Sequence, residues 1–378
     1  MDWSKGFSAS CYMARVDPKT WRDVERIEIT GGQIKRTADG LMQSADIDCV
    51  NLSRLREFWV RVWMNTDQNG AHAHTALFTG LATTPDRDIK GVMFTSTATC
   101  YSVLKPADDV ILPRGWYAAA GVSGAAIVAR LLSVTPAPVE VAEGSPELSG
   151  AIIAEDDETN LSMAEKILDV IGWRLRISGE GVIHIEPKPT APAVMFDPLE
   201  YDVIETELTV TADWYECPNV VMVTDDDLTA IARDDSPNSL LSTVNRGREV
   251  WQVENGVDLA AGETIAGYAW RLLAELQQAE VVAEYDRRFH PDIMPGDMVG
   301  LHYPAQGLDG VYTVAEQSID IAKAGRTSEQ VSAKADLTVG DDGKEIYIGM
   351  AKLVDDDDNY VVSDDTDYVV GLTNLEVR

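Results

Sequence analysis

The chain has 378 residues, 45% of them hydrophobic, which is enough for two or three domains with cores of ordinary size. It carries 63 acidic against 31 basic residues, a net charge of -32, and such a surface disfavours a role in gripping DNA or RNA. The same charge fits a protein that lets nucleic acid pass without adhering, and salt adaptation would also raise the acidity.

The cysteines and the amino terminus argue against several other classes. The four cysteines form no CxxC pair, so neither a thiolate zinc site nor a thioredoxin-type motif is indicated. Cys49 and Cys100 lie in strand-like segments, where small buried residues are expected. The start, MDWSKGFSAS, lacks the basic and apolar regions of a signal peptide. The most apolar stretch, WYAAAGVSGAAIVARLL, is too weakly apolar to span a bilayer. We expect synthesis in the cytosol and no membrane anchor.

The first hundred residues predict a sheet. The segment FWVRVWM (58–64) alternates, so that Trp59, Arg61 and Trp63 share one face and the apolar side chains share the other. This period of two predicts a strand that uses both of its faces. The other strands predicted here are RIEIT (26–30), ADIDCV (45–50), ALFTGLA (76–82) and VMFTSTATCY (92–101).

The next hundred residues predict two helices and a hairpin. One helix covers Ser123–Ser133 with Ser123 as its cap. The other, LSMAEKILDVIG (161–172), is predicted to start at a capping box of Ser162 and Glu165 and to end at Gly172. The segment ISGEGVIHI predicts a hairpin that turns at Gly179–Gly181. Linker-like composition is found at 135–150, 186–194 and 225–239.

The last part of the chain again predicts strands, together with one long helix at 263–279. Its tail from Asp341 to Arg378 holds 11 acidic and 3 basic residues and predicts an acidic hairpin or extended arm. A calcium loop would need spaced ligands around a glycine turn, which consecutive aspartates do not supply. The strands predicted here are 203–212, 219–224, 281–289, 310–321 and 331–339.

The stretch FHPDIMPGDMVGLHYP (289–304) holds two histidines and two aspartates, which raises the question of a metal or acid–base site. A zinc site needs three or four converging ligands, but a proline separates His290 from Asp292. Pro295-Gly296-Asp297 predicts a turn, because proline fixes φ and glycine tolerates positive φ. His302 then falls on the opposite strand face from Leu301. We therefore predict a turn and a strand here.

The remaining histidines give no stronger signal. His72 and His74 share one strand face, and no acidic partner is expected beside them, while His184 alternates with isoleucines. The chain has no G-x-S-x-G elbow, H-E-x-x-H motif, P-loop or Rossmann glycine pattern. Carboxylates are too numerous for any pair to be diagnostic. We predict no catalytic residue, no metal ligand and no cofactor, and therefore no enzyme.

Read as a turn and a strand, "DIMPGDMVGL…QGLDGVYTVAEQSIDI" resembles the closing β-barrel of the baseplate hub family of tailed phages. That family includes the late control protein D group and the amino-terminal part of siphophage tail-tip proteins. "ADIDCVNLSRLREFWVRVWMN" followed by "ALFTGLATTPDRDIKG" resembles the first barrel. "IGWRLRISGEGVIHIEP" resembles the insert, and "YECPNVVMVTDDD" the return into the second barrel. The resemblance spans roughly residues 20–340.

The resemblance implies a mainly β (α+β) chain with two similar tube-type β-barrel domains and a small α/β insert. Three subunits would form a ring of pseudo-sixfold symmetry, and such closure hides sheet edges that invite aggregation. The implied domains, which can be discontinuous, are 1–105 for the first barrel, 106–200 for the insert, 201–340 for the second barrel and 341–378 for the acidic arm.

The implied function is that of a structural baseplate hub in the virion tail tip, assembled in the host cytoplasm. The hub joins the tail tube or distal tail protein to the tip or spike and forms part of the DNA channel, without specific DNA binding. The implied partners are two further copies, a distal tail or tail tube protein, a tape-measure protein and a tip, spike or receptor-binding protein. Any hydrolase or receptor-binding activity is expected from a partner chain.

Six residues are predicted to take part in interfaces: Trp59, Trp63, Phe78, Pro295, Gly296 and Asp297. Two other functions stay open at this point. Nine tryptophans and twelve tyrosines suit a carbohydrate-binding β module of a tail or cell-surface assembly. A cell-wall hydrolase with two positioned carboxylates is the third interpretation.

Overall fold

The computed structural model describes residues 1–339 and 345–348, except 4, 51, 53–55, 84–85, 91–92, 197–207, 213, 226–227, 256–263, 278 and 304–307. The chain divides into two compact units. Unit 1 comprises Met1–Leu208, Glu284–His302 and Thr313–Val331. Unit 2 comprises the described residues of Thr209–Ala283, Tyr303–Tyr312 and the part that starts at Ser332. The prediction of a mainly β chain is confirmed.

Eight strands form the amino-terminal part of unit 1. They are β1 Ser8–Asp17, β2 Arg22–Ile27, β3 Ile29–Thr37, β4 Gln43–Val50, β5 Phe58–Gln68, β6 Ala71–Ala82, β7 Asp86–Lys90 and β8 Met93–Ser102. The strand order is β3-β4-β8-β6-β5-β1-β2, with β7 paired to β8. Each of these pairings is antiparallel, and β2 is the last strand in this direction.

Alternate residues of these strands form the core of the sheet. Val60, Val62 and Met64 of β5 are fully buried, because successive side chains of a strand point to opposite faces. Trp59 and Trp63 lie half-buried on the other face. The prediction that β5 uses both of its faces is therefore confirmed. Cys49 and Cys100 are also buried in this core, as predicted.

The insert follows, with a core of its own built by two helices and a hairpin. Val128 and Leu132 of the first long helix and Ile167 of the second are buried in it. Its elements are α1 Lys105–Asp108, β9 Tyr117–Ala118, α2 Gly124–Leu132, β10 Val139–Val141, β11 Ile152–Ile153, α3 Asn160–Ile171, β12 Trp173–Ile177, β13 Ile183–Pro187 and β14 Val194–Phe196. β12 and β13 form the predicted antiparallel hairpin, and β10 pairs with β13 in parallel.

The helix ends of the insert confirm one predicted cap and correct another. Ser123 caps α2, since its hydroxyl accepts a hydrogen bond from the amide of Ala126. Gly172 ends α3 in the left-handed conformation, as predicted. The predicted capping box of Ser162 and Glu165 is wrong: Thr159 is the cap, and Ser162 is its partner three residues on. Glu165 instead accepts a hydrogen bond from the amide of Gly40, at 3.0 Å.

Unit 2 holds a small three-stranded sheet with a helix packed on it. The elements in this part of the chain are β15 Leu208–Ala212, β16 Val220–Asp225, β17 Leu228–Arg233, α4 Thr243–Arg246, β18 Trp251–Asn255 and α5 Ile265–Leu276. β16 lies in the centre, antiparallel to β17 and parallel to β18. The predicted long helix is confirmed within 264–277. The linker predicted at 225–239 is wrong, because β17 lies inside it, and β10 similarly lies inside the linker predicted at 135–150.

The last strands described are β19 Ala279–Arg287, β20 Met298–Tyr303, β21 Leu308–Asp320, β22 Arg326–Val339 and β23 Glu345–Ile348. In unit 1, β21 pairs with β3, placing Ile319 opposite Ile34, so this late part of the chain extends the amino-terminal sheet. β20 pairs with β14 in parallel. Among the residues described, no helix is long and apolar enough to cross a bilayer. The calcium question concerns aspartates of the tail, which lie outside the described residues.

Candidate interaction surface

A row of stacked side chains crosses the sheet of unit 1 on the face that carries Trp63. The rings of Trp63 and His74 stack with centroids 4.0 Å apart, and Tyr12 stacks on His74 at 6.0 Å. The Tyr12 hydroxyl lies 3.0 Å from Nε2 of His74, and the Arg26 guanidinium lies 4.2 Å from the centre of the Tyr12 ring. Strands β2, β1, β6 and β5 each contribute one of these four side chains. We call this set the ring row.

Arg61 lies beneath the ring row and ties three parts of unit 1 together. Its side chain is only 7% exposed, yet it is neutralised by Asp23 of β2 at 2.8 Å. It also donates to the Thr79 hydroxyl at 3.0 Å and to the Glu180 carbonyl at 2.9 Å. The indole nitrogen of Trp63 donates to the other Asp23 oxygen, at 2.7 Å. Because hydrogen bonds to charged groups are the strong ones, this cluster fixes the edge strand β2 to the sheet.

Trp59 is used inside unit 1. Its ring packs against Trp21, with centroids 5.5 Å apart, and both rings border the core of the insert. The Trp21 indole donates to the Glu180 carbonyl at 3.0 Å. Both predicted interface tryptophans therefore have partners within the chain, and Trp63 is the one that belongs to the ring row.

The β12–β13 hairpin docks on β6 through its glycine turn. The Thr79 hydroxyl donates to the Gly179 carbonyl at 2.7 Å. A Cβ atom at Gly179 would lie 1.8 Å from the carbonyl oxygen of Ala76, so no larger residue fits without moving backbone. Gly181 has φ +77°, and a Cβ atom there would lie 2.7 Å from Cβ of Thr79. The hairpin turn predicted from ISGEGVIHI is thus also a contact that needs glycine for close approach.

Phe78 and the Pro295–Asp297 turn support unit 1 from within. Phe78 is fully buried in the core of the sheet, with no surface left for a partner chain. The turn is confirmed: Gly296 has φ +82°, and its amide donates to the Val314 carbonyl at 2.7 Å. The buried Asp297 carboxylate accepts from the Met294 amide at 2.9 Å and from the Arg174 guanidinium at 2.7 Å.

A fully buried ion pair lies in the part of unit 1 formed by β19 and β22. Arg287 and Glu329 pair there, and Tyr285 and Gln317 donate hydrogen bonds to the same carboxylate. Burial alone would raise the pKa of Glu329, but the charge and hydrogen bonds of Arg287 outweigh it and hold the pKa below its usual value. Removing one partner of such a pair leaves an uncompensated buried charge. Buried Arg36 also donates to Gln317.

The histidines take ordinary structural positions. His72 does have an acidic partner, Asp67, at 2.8 Å, which corrects the sequence interpretation. The tight turn at Asn69-Gly70, a strong hairpin signal, places the two residues opposite each other. His184 lies 3.4 Å from Glu140, and burial lowers its pKa. Burial also lowers the pKa of His290, whose Nδ1 accepts from the Asp292 amide.

Other chemical signals are weak in the part of the chain that the structure describes. No group of three or more His, Cys, Asp or Glu side chains there is placed to hold a metal ion. Burial raises the pKa of Cys11 to about 11 and that of Cys49 to about 12, which keeps both thiols protonated and unreactive.

Sequence reasoning missed most of the ring row. Tyr12 lies in β1, a strand that no prediction covered, and Arg26 and Asp23 were not singled out. The segment SASCYMARVD does not alternate clearly between apolar and polar residues, so its sequence does not predict a strand. It forms β1 by pairing with β5. The Asn69-Gly70 turn signal predicts a hairpin that places His74 beside β5, so it could have identified the contact of Trp63 with His74 in the ring row.

Comparison with known proteins points to one fold. No family model matches the chain, and no curated protein is significantly similar to it. A tail protein of 43 kDa from prophage MuSo2 of Shewanella oneidensis has a TM-score of 0.60 at 14% identity, covering 86% of this chain and 98% of its own. A tail protein from Neisseria meningitidis MC58 also has a TM-score of 0.60, at 13% identity, covering 87% and 97%.

A third similar structure comes from a Francisella PdpA–VgrG complex. Its TM-score is 0.53 at 7% identity, covering 92% of this chain and 55% of that one. At these identities the likeness concerns the fold. The chain shares the fold of these tail proteins over 86–87% of its length.

Proposed function

We propose that the protein is a structural subunit of a phage-type tail, located in the tail tip or baseplate of the virion. The observation that carries this proposal is the likeness to two tail proteins over 97–98% of their own chains. The order of the sequence motifs, from the first barrel through the insert to the Pro295–Asp297 turn, supports the same assignment. The Francisella PdpA–VgrG complex is a third structure with a similar fold.

Within that tail, we propose the role of a baseplate hub that forms a homotrimeric ring. Residues 1–105 and 201–340 would supply the two barrels of each subunit, with 106–200 as the insert. The ring would join the tail tube or distal tail protein to the tip or spike, next to the tape-measure protein. The net charge of -32 supports a channel that passes DNA without binding it, because few cations are available to replace phosphate counterions.

We place the contact between subunits at β2 and the ring row. β2 is an edge strand that pairs with β1 alone in the strand order, and most of its residues are exposed. An unpaired edge of this kind is protected when another chain covers it. Of the six predicted interface residues, Trp63 lies at this surface. Trp59, Phe78 and the Pro295–Asp297 turn would act indirectly, by holding the strands in place.

The contacts of Trp59 and Trp63 favour this role over sugar binding by these two rings of β5. A sugar-binding platform needs an open ring face, whereas Trp59 packs on Trp21 and Trp63 stacks on His74. The described residues give no support for a hydrolase, and we propose no catalysis.

Light scattering on the purified full chain, with negative-stain images of the same sample, tests the hub. The expected result is a species near three times 41.3 kDa that appears as a ring with a central hole. The Arg26→Glu variant should weaken this trimer, and Arg114→Glu, at an exposed position of the insert, should leave it intact. A monomer at every concentration, or a compact particle without a hole, would count against the ring.

A further inference from the structure

The small sheet of unit 2 has one covered and one open face. Alternate residues Val221, Val223 and Ala232 pack against Ala269 and Leu273 of α5. The residues between them in β16, β17 and β18 point to the other side, because neighbouring strand residues alternate. That other side is not covered by a helix of unit 2 among its described residues.

The open face is apolar at its centre. Ile231, Met222 and Val253 lie side by side across β17, β16 and β18, and Trp251 is two residues from Val253 on the same face. Ile231 is 55% exposed, Val253 44% and Trp251 46%. Exposed neighbouring apolar side chains that include a tryptophan are typical of binding surfaces. We call Ile231, Met222, Val253 and Trp251 the open face.

The charge around the open face is balanced, unlike that of the whole chain. Arg233, beside Ile231 in β17, pairs with Asp235 and Glu249, and the Trp251 indole donates to Glu249 at 2.9 Å. Together with Arg246 and Arg248, the segment 231–253 carries three basic and three acidic residues. A ligand with many carboxylates meets less repulsion here than elsewhere on a chain with a net charge of -32.

We propose that the open face binds the acidic carboxy-terminal arm of the same chain, through residues 355–370. The last described strand, β23, belongs to unit 2, the unit that also carries the open face. The 30 residues 349–378 follow it and lie outside the described residues. At about 3.3 Å for each extended residue, they can reach any point of a unit of this size.

The sequence of the arm suits this face. Tyr360 and Val362 stand two residues apart, as do Tyr368 and Val370, so in an extended chain each pair presents its side chains on one side. The aspartates around them would lie near Arg233, which is two residues from Ile231 on the same face of β17. The inference does not depend on the proposed tail function, since it concerns contacts within one chain.

Photo-crosslinking of the full chain tests the proposal. The probe is p-benzoylphenylalanine at position 253, and the matched control carries it at position 244, where Val244 of unit 2 is 60% exposed. We expect crosslinks from position 253 to residues 355–370, and none to that segment from position 244. Replacing Tyr360→Asp and Tyr368→Asp together should abolish the crosslink while circular dichroism stays unchanged.

Mixing chains of natural and heavy-nitrogen composition identifies the occupant. Crosslinks within chains of one isotope composition support the proposal. Mixed-isotope crosslinks would show that a second copy occupies the face, and crosslinks outside 355–370, or none, would equally overturn the proposal. If microscopy shows a ring but the crosslink fails, the proposed hub function is supported and the proposed binding of residues 355–370 is refuted.

Discussion

The sheets of the two units differ in the face that lies opposite the core. In unit 1, side chains cover the face of β5 opposite the core. Trp59 packs against Trp21, Arg61 forms an ion pair with Asp23, and Trp63 stacks on His74. In unit 2, Val253 of β18 and its neighbours stay exposed, although β18 also carries a tryptophan. Apolar residues on the strand face opposite the core therefore indicate that another surface packs there. The sequence does not show whether that surface belongs to the same unit, but the fold does.

The difference leads to a difference in stability. Unit 1 should lose stability when its internal ties are cut, and the open face of unit 2 should tolerate substitutions. The following predictions address the two sides of this comparison.

The largest loss is expected from Glu329→Gln. It leaves the Arg287 charge buried without a counter-charge and should cost about 3–5 kcal/mol of unfolding free energy. Urea unfolding followed by circular dichroism measures it. The control is the double variant Arg287→Met with Glu329→Leu, which removes both charges and should recover most of the stability. A loss below about 1 kcal/mol, the value of exposed ion pairs, would show that the pair is not buried in solution.

The same pair predicts a pH dependence. The pKa of Glu329 is lowered in the folded chain, so below the ordinary carboxyl pKa of about 4.3 the unfolded chain takes up a proton first. The stability contributed by Glu329 is therefore complete above that pH and is lost as the pH falls through the lowered pKa. The stability difference between the parent and Glu329→Gln should shrink in that range. A difference that stays constant down to acid pH would contradict the lowered pKa.

The next loss is expected where the hairpin docks on β6. Gly179→Ala places a Cβ atom against the Ala76 carbonyl and should cost about 1–3 kcal/mol by overpacking. Gly150→Ala is the matched control, because nothing lies within 4 Å of its Cβ position. Equal stability of the two variants in urea unfolding would refute the close docking of this turn.

A smaller loss is expected in the ring row. His74→Ala removes the stack on Trp63 and should cost about 0.5–1.5 kcal/mol, the range of paired aromatic rings. His72→Ala removes only an exposed pair with Asp67 and serves as the control. The stack would be unimportant in solution if both variants unfolded at the same urea concentration.

The smallest effect is expected on the open face of unit 2. Ile231→Thr keeps a β-branched side chain at an exposed strand position and should change stability by less than about 0.5 kcal/mol. Ala232→Thr, its buried neighbour on the α5 side, should be clearly destabilising. If Ile231→Thr destabilised the chain as much as Ala232→Thr, Ile231 would be buried in solution. The open face would then be part of a core and not an exposed surface.

Much of the strand pattern followed from local chemistry. Alternation predicted β5, and the glycines of ISGEGVIHI predicted the β12–β13 hairpin. What alternation could not supply was the identity of distant partners, such as Arg61 with the Glu180 carbonyl, 119 positions along the chain. The aspartates that flank β17 predict a linker in this part of the chain. The strand depends on pairing with β16, which local composition does not encode.

The candidate site was predicted only in part. Trp63 was singled out from one strand, but Tyr12 and His74 come from strands whose neighbourhood depends on the sheet order β6-β5-β1. Thr159 caps α3 in place of Ser162 because the helix starts earlier than its apolar pattern indicates. Phe78 was predicted as an interface residue, and a bulge in the β5–β6 register helps to bring it into the core.

Immunogold labelling of released particles tests the central claim, that this chain is a structural subunit of a tail tip, most directly. Antibodies raised against the purified chain would be applied to particles from the organism that encodes it and viewed by negative-stain microscopy. The account predicts gold at one end of each tail, at the tip distant from the capsid or from the anchored end of an injection device. Gold along the cell surface would contradict it. So would tails that stay unlabelled after mild denaturant has exposed their buried subunits.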